Sequence, residues 1–211
     1  MRKDPLPQGA DLVPEGVRYR VWAPRARTVE ALVWTGDEPP RAAPLALDAS
    51  GYFHGLDHLG QPGDLYKFRL DGGEDYPDPA SRYQPEGVHG RSAVIDPRQY
   101  QWHDGRYQPP RLRDLVIYEL HIGTFTPEGT FLSAIDKLPH VKELGVTAIE
   151  IMPVGDFAGE RNWGYDGVCL YAPAHAYGHP DDLRALVDAA HGLGLAVILD
   201  VVYNHLGPDG N

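Results

Sequence analysis

The chain has 211 residues, with 19 basic against 30 acidic side chains and a formal net charge of −11, which is length for one good core or for one small domain and part of another. That charge gives phosphate backbones and anionic lipid no reason to approach, so neither nucleic acid nor a membrane is an expected partner. The hydrophobic fraction of 42% is ordinary for a globular fold, and a single cysteine, Cys169, rules out an internal disulfide framework and fits a reducing, cytoplasmic setting.

The opening segment MRKDPLPQGADLVPEG is broken by prolines and acids and carries no signal-peptide apolar region, and the longest apolar run, LAVIL, is far too short to cross a membrane. Short alternating segments follow. VRYRVW puts Val17, Tyr19 and Val21 on one face and Arg18 and Arg20 on the other, the period of a half-buried strand. TVEALVW repeats the pattern with Val29, Ala31 and Val33; GYFHGLDH and DLYKFRLDG, with Tyr66, Phe68 and Leu70, are two further strands. The turn signals TGDEPP, DASG, GQPGD and DGGED punctuate them, which predicts an all-β, immunoglobulin-like sandwich over residues 1–108. Its aromatics Trp22, Trp34, Tyr52 and Tyr66 are expected in the core.

The stretch QWHDGRYQPPRLRD (101–114) reads as the junction, and the grammar then changes. LVIYELHI is a buried strand, and FLSAIDKLPHVKELG is a helix with Leu132, Ile135, Leu138, Val141 and Leu144 on its apolar side. Thr130 caps it, Gly145 stops it, and Pro139 must kink or split it. VTAIEIMPV is a second buried strand, PDDLRALVDAAHGLG a helix opened by Pro180, and LAVILDVVYNH a third buried strand. This β, α, β, α, β order predicts parallel strands with crossover helices over residues 109–211, the first units of a (β/α)8 barrel. Such a barrel needs about 250 residues, so the expectation is that it is truncated after strand three.

In parallel α/β folds the working residues lie at the carboxyl ends of the strands. Those ends carry Glu119 and His121, then Glu150 and Met152, then Asp200, Asn204 and His205; the loop after strand two adds Asn162, Trp163, Tyr165, Asp166 and His175. Aromatic rings, carboxylates and amides with almost no lysine suit a neutral polyhydroxylated ligand. Phosphate chemistry would want a glycine-rich loop, and neither GxGxxG nor GxxxxGK[ST] occurs. His121, His175, His179, His191 and His205 lack metal-ligand spacing, so no metal is expected, and no GxSxG elbow is present. Asp200, Asn204 and His205 at the end of a buried strand would carry a desolvation penalty that needs compensation, from function or from structural pairing.

At DVVYNH (200–205) the chain resembles the first diagnostic region of the α-amylase superfamily, glycoside hydrolase family 13. IYELHIGTF (117–125), LGVTAIEIMPV (144–154) and NWGYDGV (162–168) resemble its first strand, its second strand and the loop that follows. YRVWAP and YPDPASRYQPEGVHGRS resemble the N-terminal sandwich of its branching and trehalohydrolase members. The resemblance implies cleavage of an α-1,4 glucosidic bond beside the terminal trehalose of maltooligosyl trehalose or a related α-glucan, with retention of configuration and no cofactor. It implies Tyr165 as the aromatic platform under the sugar, Asp200 as support for the catalytic network, His205 as a hydrogen-bonding partner of that sugar's hydroxyls, strongest in the transition state, and Glu119, His121 and Trp163 as pocket lining. Asn204 matches a calcium position of many secreted members and is left unassigned. The two catalytic carboxylates, about 5–5.5 Å apart in a retaining enzyme, are expected after residue 211, so none within the segment is catalytic and the segment alone is expected to be inactive, in a monomer. The alternatives are a branching enzyme and a non-catalytic glucan-binding fragment stacking sugar on Trp22, Trp34, Tyr52 or Tyr66.

Overall fold

The computed structural model describes residues 7–210, in two units that divide after Asp96. In the first, strands β1 (Gly9–Val13), β2 (Gly16–Trp22), β3 (Val29–Trp34), β4 (Arg41–Leu47), β5 (Tyr52–Asp57), β6 (Leu65–Leu70) and β7 (Asp75–Tyr76) are hydrogen-bonded in the order β1-β2-β5-β4-β3-β6-β7, and β8 (Ser92–Ala93) also pairs with β6. All pairings are antiparallel. The predicted period of two is realised: Val17, Tyr19, Val21 and Phe53 share one buried cluster with Val29, Ala31, Val33, Tyr66 and Phe68. Tyr19 and Tyr66 meet at 5.0 Å between ring centroids, and Tyr66 and Phe68 at 5.7 Å edge to face, distances at which aromatic pairs add to simple burial.

β4 has no counterpart in the sequence reading, because Pro44 interrupts it. Residues 41–45 pair with β3 and residues 46–47 with β5, so the strand passes from one sheet to the other. Pro44 lies where the strand has a single partner, so its missing N–H costs no ladder bond on the open side. Arg41 at the start of β4 donates to Asp57 at 2.9 Å and to Asp64 at 2.7 Å, both carboxylates being buried.

Two expectations for the sandwich are corrected. Arg20 does not face solvent; it is 8% exposed, pairs with Asp48 at 3.3 Å and lies over the Tyr52 ring at 3.7 Å from the centroid, where the π face and the carboxylate replace water. Of the four aromatics expected in the core only Tyr66 is buried, whereas Trp22 is 59% exposed because it ends β2 on the outward phase opposite Tyr52.

In the second unit β9 (Ile117–Leu120) and β10 (Ala148–Ile151) run parallel, and the chain then forms a small antiparallel pair of β11 (Gly155–Asp156) and β12 (Cys169–Pro173) before β13 (Ala196–Leu199) rejoins β10. The order β13-β10-β9 and the parallel register are those of consecutive barrel strands. Helices α1 (Ile122–Phe125), α2 (Phe131–Ile135), α3 (Leu138–Glu143) and α4 (Pro180–Gly192) lie between them in the chain. As Pro139 requires, the helix over 131–144 is split into α2 and α3, with the proline in the first turn of α3. Thr130 caps α2 by accepting from the Ser133 amide at 3.2 Å, and Gly145 takes φ +85° after α3.

The buried side of these helices is Phe131, Ala134, Leu138 and Val141 rather than the predicted Leu132 and Leu144, which are 51% and 59% exposed. The large Phe131 sets the phase once the break frees the first turn from the second. α4 opens as predicted on Pro180 and buries Leu186 and Ala190. Residues of the predicted junction and Tyr100 just before it pack on α4: Asp188 accepts from the His103 amide at 3.0 Å, from His103 Nδ1 at 2.7 Å and from the Tyr100 hydroxyl at 3.2 Å. His191 Nδ1 meets Asp104 at 2.8 Å and its ring stacks on Tyr107 at 3.9 Å.

Of the three strands predicted to be buried, β10 alone is so among the described residues. Ile117 and Leu199 are each 47% exposed, since β9 and β13 each have one strand neighbour among the described residues. Asn204 and His205 are exposed as well, so the expected desolvation penalty does not arise there. Among the described residues no helix is long and apolar enough to cross a membrane.

Candidate functional site

Parallel pairing brings the carboxyl ends of β9, β10 and β13 to one end of the sheet, and the segments that leave those ends meet there. The register sets Glu119 beside Glu150 and Glu150 beside Ile198 on one face. Asp200 follows two residues after Ile198 and extends the ladder by donating its amide to Ile151 O at 3.0 Å; its Oδ1 accepts from the Val201 amide at 2.8 Å. The offset of two residues means that Glu150 is opposite Ile198 and not Asp200. Met152, which donates its amide to Leu120 O at 3.0 Å, is half-buried.

The wall of the site is the segment between β11 and β12. Asn162 organises it through an Asx turn: its Oδ1 accepts from the Gly164 amide at 2.6 Å and the Asp166 amide at 3.3 Å, and its Nδ2 donates to Asp166 Oδ2 at 3.2 Å. Gly164 has φ +99°, and a Cβ there would stand 2.6 Å from Pro153 O, so only glycine fits. The turn leaves Trp163 69% and Tyr165 46% exposed.

Two groups of the predicted residues form. His121, at the end of β9, donates from Nε2 to Asn162 O at 2.7 Å, and its ring lies 5.8 Å from that of Trp163. Glu160, Arg161 and Thr124 line the same cleft. In the second group His205 Nε2 donates to Tyr165 O at 2.8 Å, and Gly207 N donates to Gly167 O at 3.1 Å, so the segment after β13 runs against the turn. Among the described residues the Asp200 side chain bonds to neither group.

Two residues escaped the sequence reading. Tyr177, in a 3-10 turn at His175–Tyr177, is buried, and burial pushes its hydroxyl up to about 12. Asp156 is fully buried; His175 bonds its Oδ1 through Nδ1 at 2.7 Å and through the amide at 3.0 Å, while Oδ2 has no partner among the described residues. Burial raises the Asp156 carboxyl above its ordinary value against the opposing pull of His175. A charged residue in the apolar run VGDF was a visible signal for Asp156; nothing in AHAYG marked Tyr177.

Chemically the wall offers exposed rings with amide and carboxylate groups beside them, an arrangement that stacks and hydrogen-bonds neutral sugars. Among the described residues no group of three or more His, Cys, Asp or Glu is placed to hold a metal. Residues 87–210 match the family model of the alpha amylase catalytic domain, and residues 7–97 that of carbohydrate-binding module 48, the isoamylase N-terminal domain.

The malto-oligosyltrehalose trehalohydrolase of Saccharolobus solfataricus is 53% identical over 96% of this chain and 35% of its own length. The 1,4-alpha-glucan branching enzyme of Corynebacterium jeikeium is 33% identical over 96% of this chain and 30% of its own. A solved structure of a Salmonella typhimurium protein assigned as an alpha amylase superposes with a TM-score of 0.90 at 48% identity, covering 97% of this chain and 34% of that one. The chain thus spans about a third of the length of the curated relatives it matches. With a module-48 sandwich ahead of the first three parallel strands, and with the turn and strand-end motifs at the site, the chain belongs to the α-amylase catalytic-domain family.

Proposed function

We propose that the whole protein hydrolyses the α-1,4 glucosidic bond next to the terminal trehalose of maltooligosyl trehalose and releases trehalose. The observation that carries this reading is the 53% identity to a trehalohydrolase across both units, against 33% to a branching enzyme over the same share of the chain. In this reading Tyr165 is the platform under the sugar at the cleavage point, Trp163 extends the wall, and His205 bonds sugar hydroxyls more strongly in the transition state than in the ground state. Asp200 supports the catalytic network from a position two residues beyond the row of Glu119, Glu150 and Ile198. The nucleophile and the acid/base carboxylate belong to the part of the relatives' length that this chain does not span, and the segment alone is inactive. The protein works in the cytoplasm as a monomer without a metal.

The test is product analysis of the full-length protein with maltooligosyl trehalose and with amylose. Free trehalose from the first substrate supports the reading. New α-1,6 linkages in the second, without trehalose from the first, would replace it with glucan branching.

A further inference from the structure

His121 follows β9 and Tyr177 ends the turn before α4, yet both reach one backbone atom. The carbonyl of Asn162 accepts from His121 Nε2 at 2.7 Å and from the Tyr177 hydroxyl at 3.4 Å, and the hydroxyl lies 3.2 Å from the same Nε2. A carbonyl oxygen only accepts, so Nε2 carries the proton. In the neutral ring Nδ1 is then the acceptor, and the Thr124 hydroxyl stands 3.3 Å away to serve it. Every polar atom of the His121 ring is engaged inside the protein. Tyr177 is 3% exposed and held by edge contacts with Phe131 and Phe157, so its hydroxyl is fixed by packing.

Asn162 links this pair to the wall. Its carbonyl points to His121 and Tyr177, while its side chain organises residues 164–166 through the bonds to Gly164 and Asp166. Trp163 and Tyr165 project from that turn. We propose that His121 and Tyr177 are positioning residues, a pair that clamps the Asn162 carbonyl and thereby fixes Trp163 and Tyr165 for the glucan, and that His121 does not itself touch sugar. The proposal rests on the glucan-hydrolysing reading for its kinetic consequence but not for its geometry. Gly123 belongs to the same device, since a Cβ there would stand 2.9 Å from Tyr177 Cε1 and 3.1 Å from His121 Cε1, and any larger residue would push the two donors off the carbonyl.

The experiment uses the full-length protein and two readouts. Tyr177→Phe keeps the ring and removes one donor, so KM for maltooligosyl trehalose should rise about three- to tenfold with kcat changed less than twofold. His121→Gln, which can still donate to the carbonyl, should retain most of the wild-type KM, and His121→Leu should not. If His121 contacted sugar directly, Tyr177→Phe would leave KM unmoved while both His121 variants lowered kcat, and the proposal would be overturned. The second readout needs no substrate: nitrogen-15 histidine spectra should show His121 as the Nε2–H tautomer, and the Nδ1–H tautomer would overturn the clamp. Wild-type protein that releases no trehalose but shows the Nε2–H tautomer would remove the functional reading and leave the clamp standing.

Discussion

The two units satisfy their strands in different ways. In the sandwich each sheet buries its inner face against the other, and Tyr19, Phe53, Tyr66 and Phe68 are all 2% exposed or less. In the second unit only the middle strand β10 reaches that state; Ala148, Ile149 and Ile151 are fully buried while Ile117 and Leu199 on the flanking strands stay half open. Antiparallel strands with a two-sheet core close on themselves, whereas parallel strands need helices and further strands to cover both faces and both edges. Stability in the first unit is therefore spread over many strands, and among the described residues of the second it is concentrated on β10 and the helices beside it in the chain.

The sharpest way to break that contrast is truncation in each place. Phe68→Ala should cost the sandwich about 3–5 kcal/mol and Ile149→Ala about 2–5 kcal/mol in the second unit. In the 211-residue segment Leu199→Ala should cost about 0.5 kcal/mol or less. Denaturant melts read by hydrogen exchange in each unit would measure this, and a large loss at Leu199 would show that β13 is as well packed as β10.

Two buried carboxylates, one in each unit, should respond to acid in opposite senses. Asp78 in the sandwich is buried, and burial lifts its carboxyl from 3.8 to about 6 despite the Tyr66 hydroxyl and the Ala80 amide that donate to it. A raised folded value means that the unfolded chain loses its proton first, so sandwich stability falls by ~3 kcal/mol between about pH 4 and pH 6 and stays lower above. Asp78→Asn should flatten that slope. Asp188 in the second unit behaves the other way: burial opposes ionisation, but the His103 and Tyr100 donors prevail and hold the carboxyl below its ordinary value of 3.8. Its contribution is present above pH 3.8 and is lost as pH falls through the lower folded value. Because His103 is largely exposed, Asp188→Asn should cost only about 1 kcal/mol at pH 7, seen as earlier exchange in α4 with the sandwich untouched.

Tyr19 should show an effect of the opposite sign. Its buried hydroxyl has no partner among the described residues, so Tyr19→Phe should be neutral or stabilising by up to about 1 kcal/mol. A clear loss in a melting experiment would reveal a bond that the geometry does not contain.

Much of the fold was legible because strand and cap signals are local. The period of two in VRYRVW and LYKFRL, the Thr130 cap and the Pro180 helix start needed only neighbouring residues. What failed needed partners distant in sequence. Leu132 and Phe131 are both apolar, and only the helix break and the sheet behind it decide which of them is buried. Arg20 reads as a surface residue until Tyr52 and Asp48 arrive from another strand. Of the site, the sequence supplied the ends of the strands and the exposed rings of NWGYDG, but the carbonyl that ties them to His121 carries no side-chain signature, and Tyr177 could be found only through it.

β4 has one more consequence. Because a single seven-residue strand serves both sheets, its length is under two constraints at once. Inserting one residue between Leu45 and Ala46 would leave the β3 ladder in phase and throw the β5 ladder out of it, reversing Leu47 relative to Phe53. This stretch therefore acts as a fixed ruler between the two halves of the sandwich.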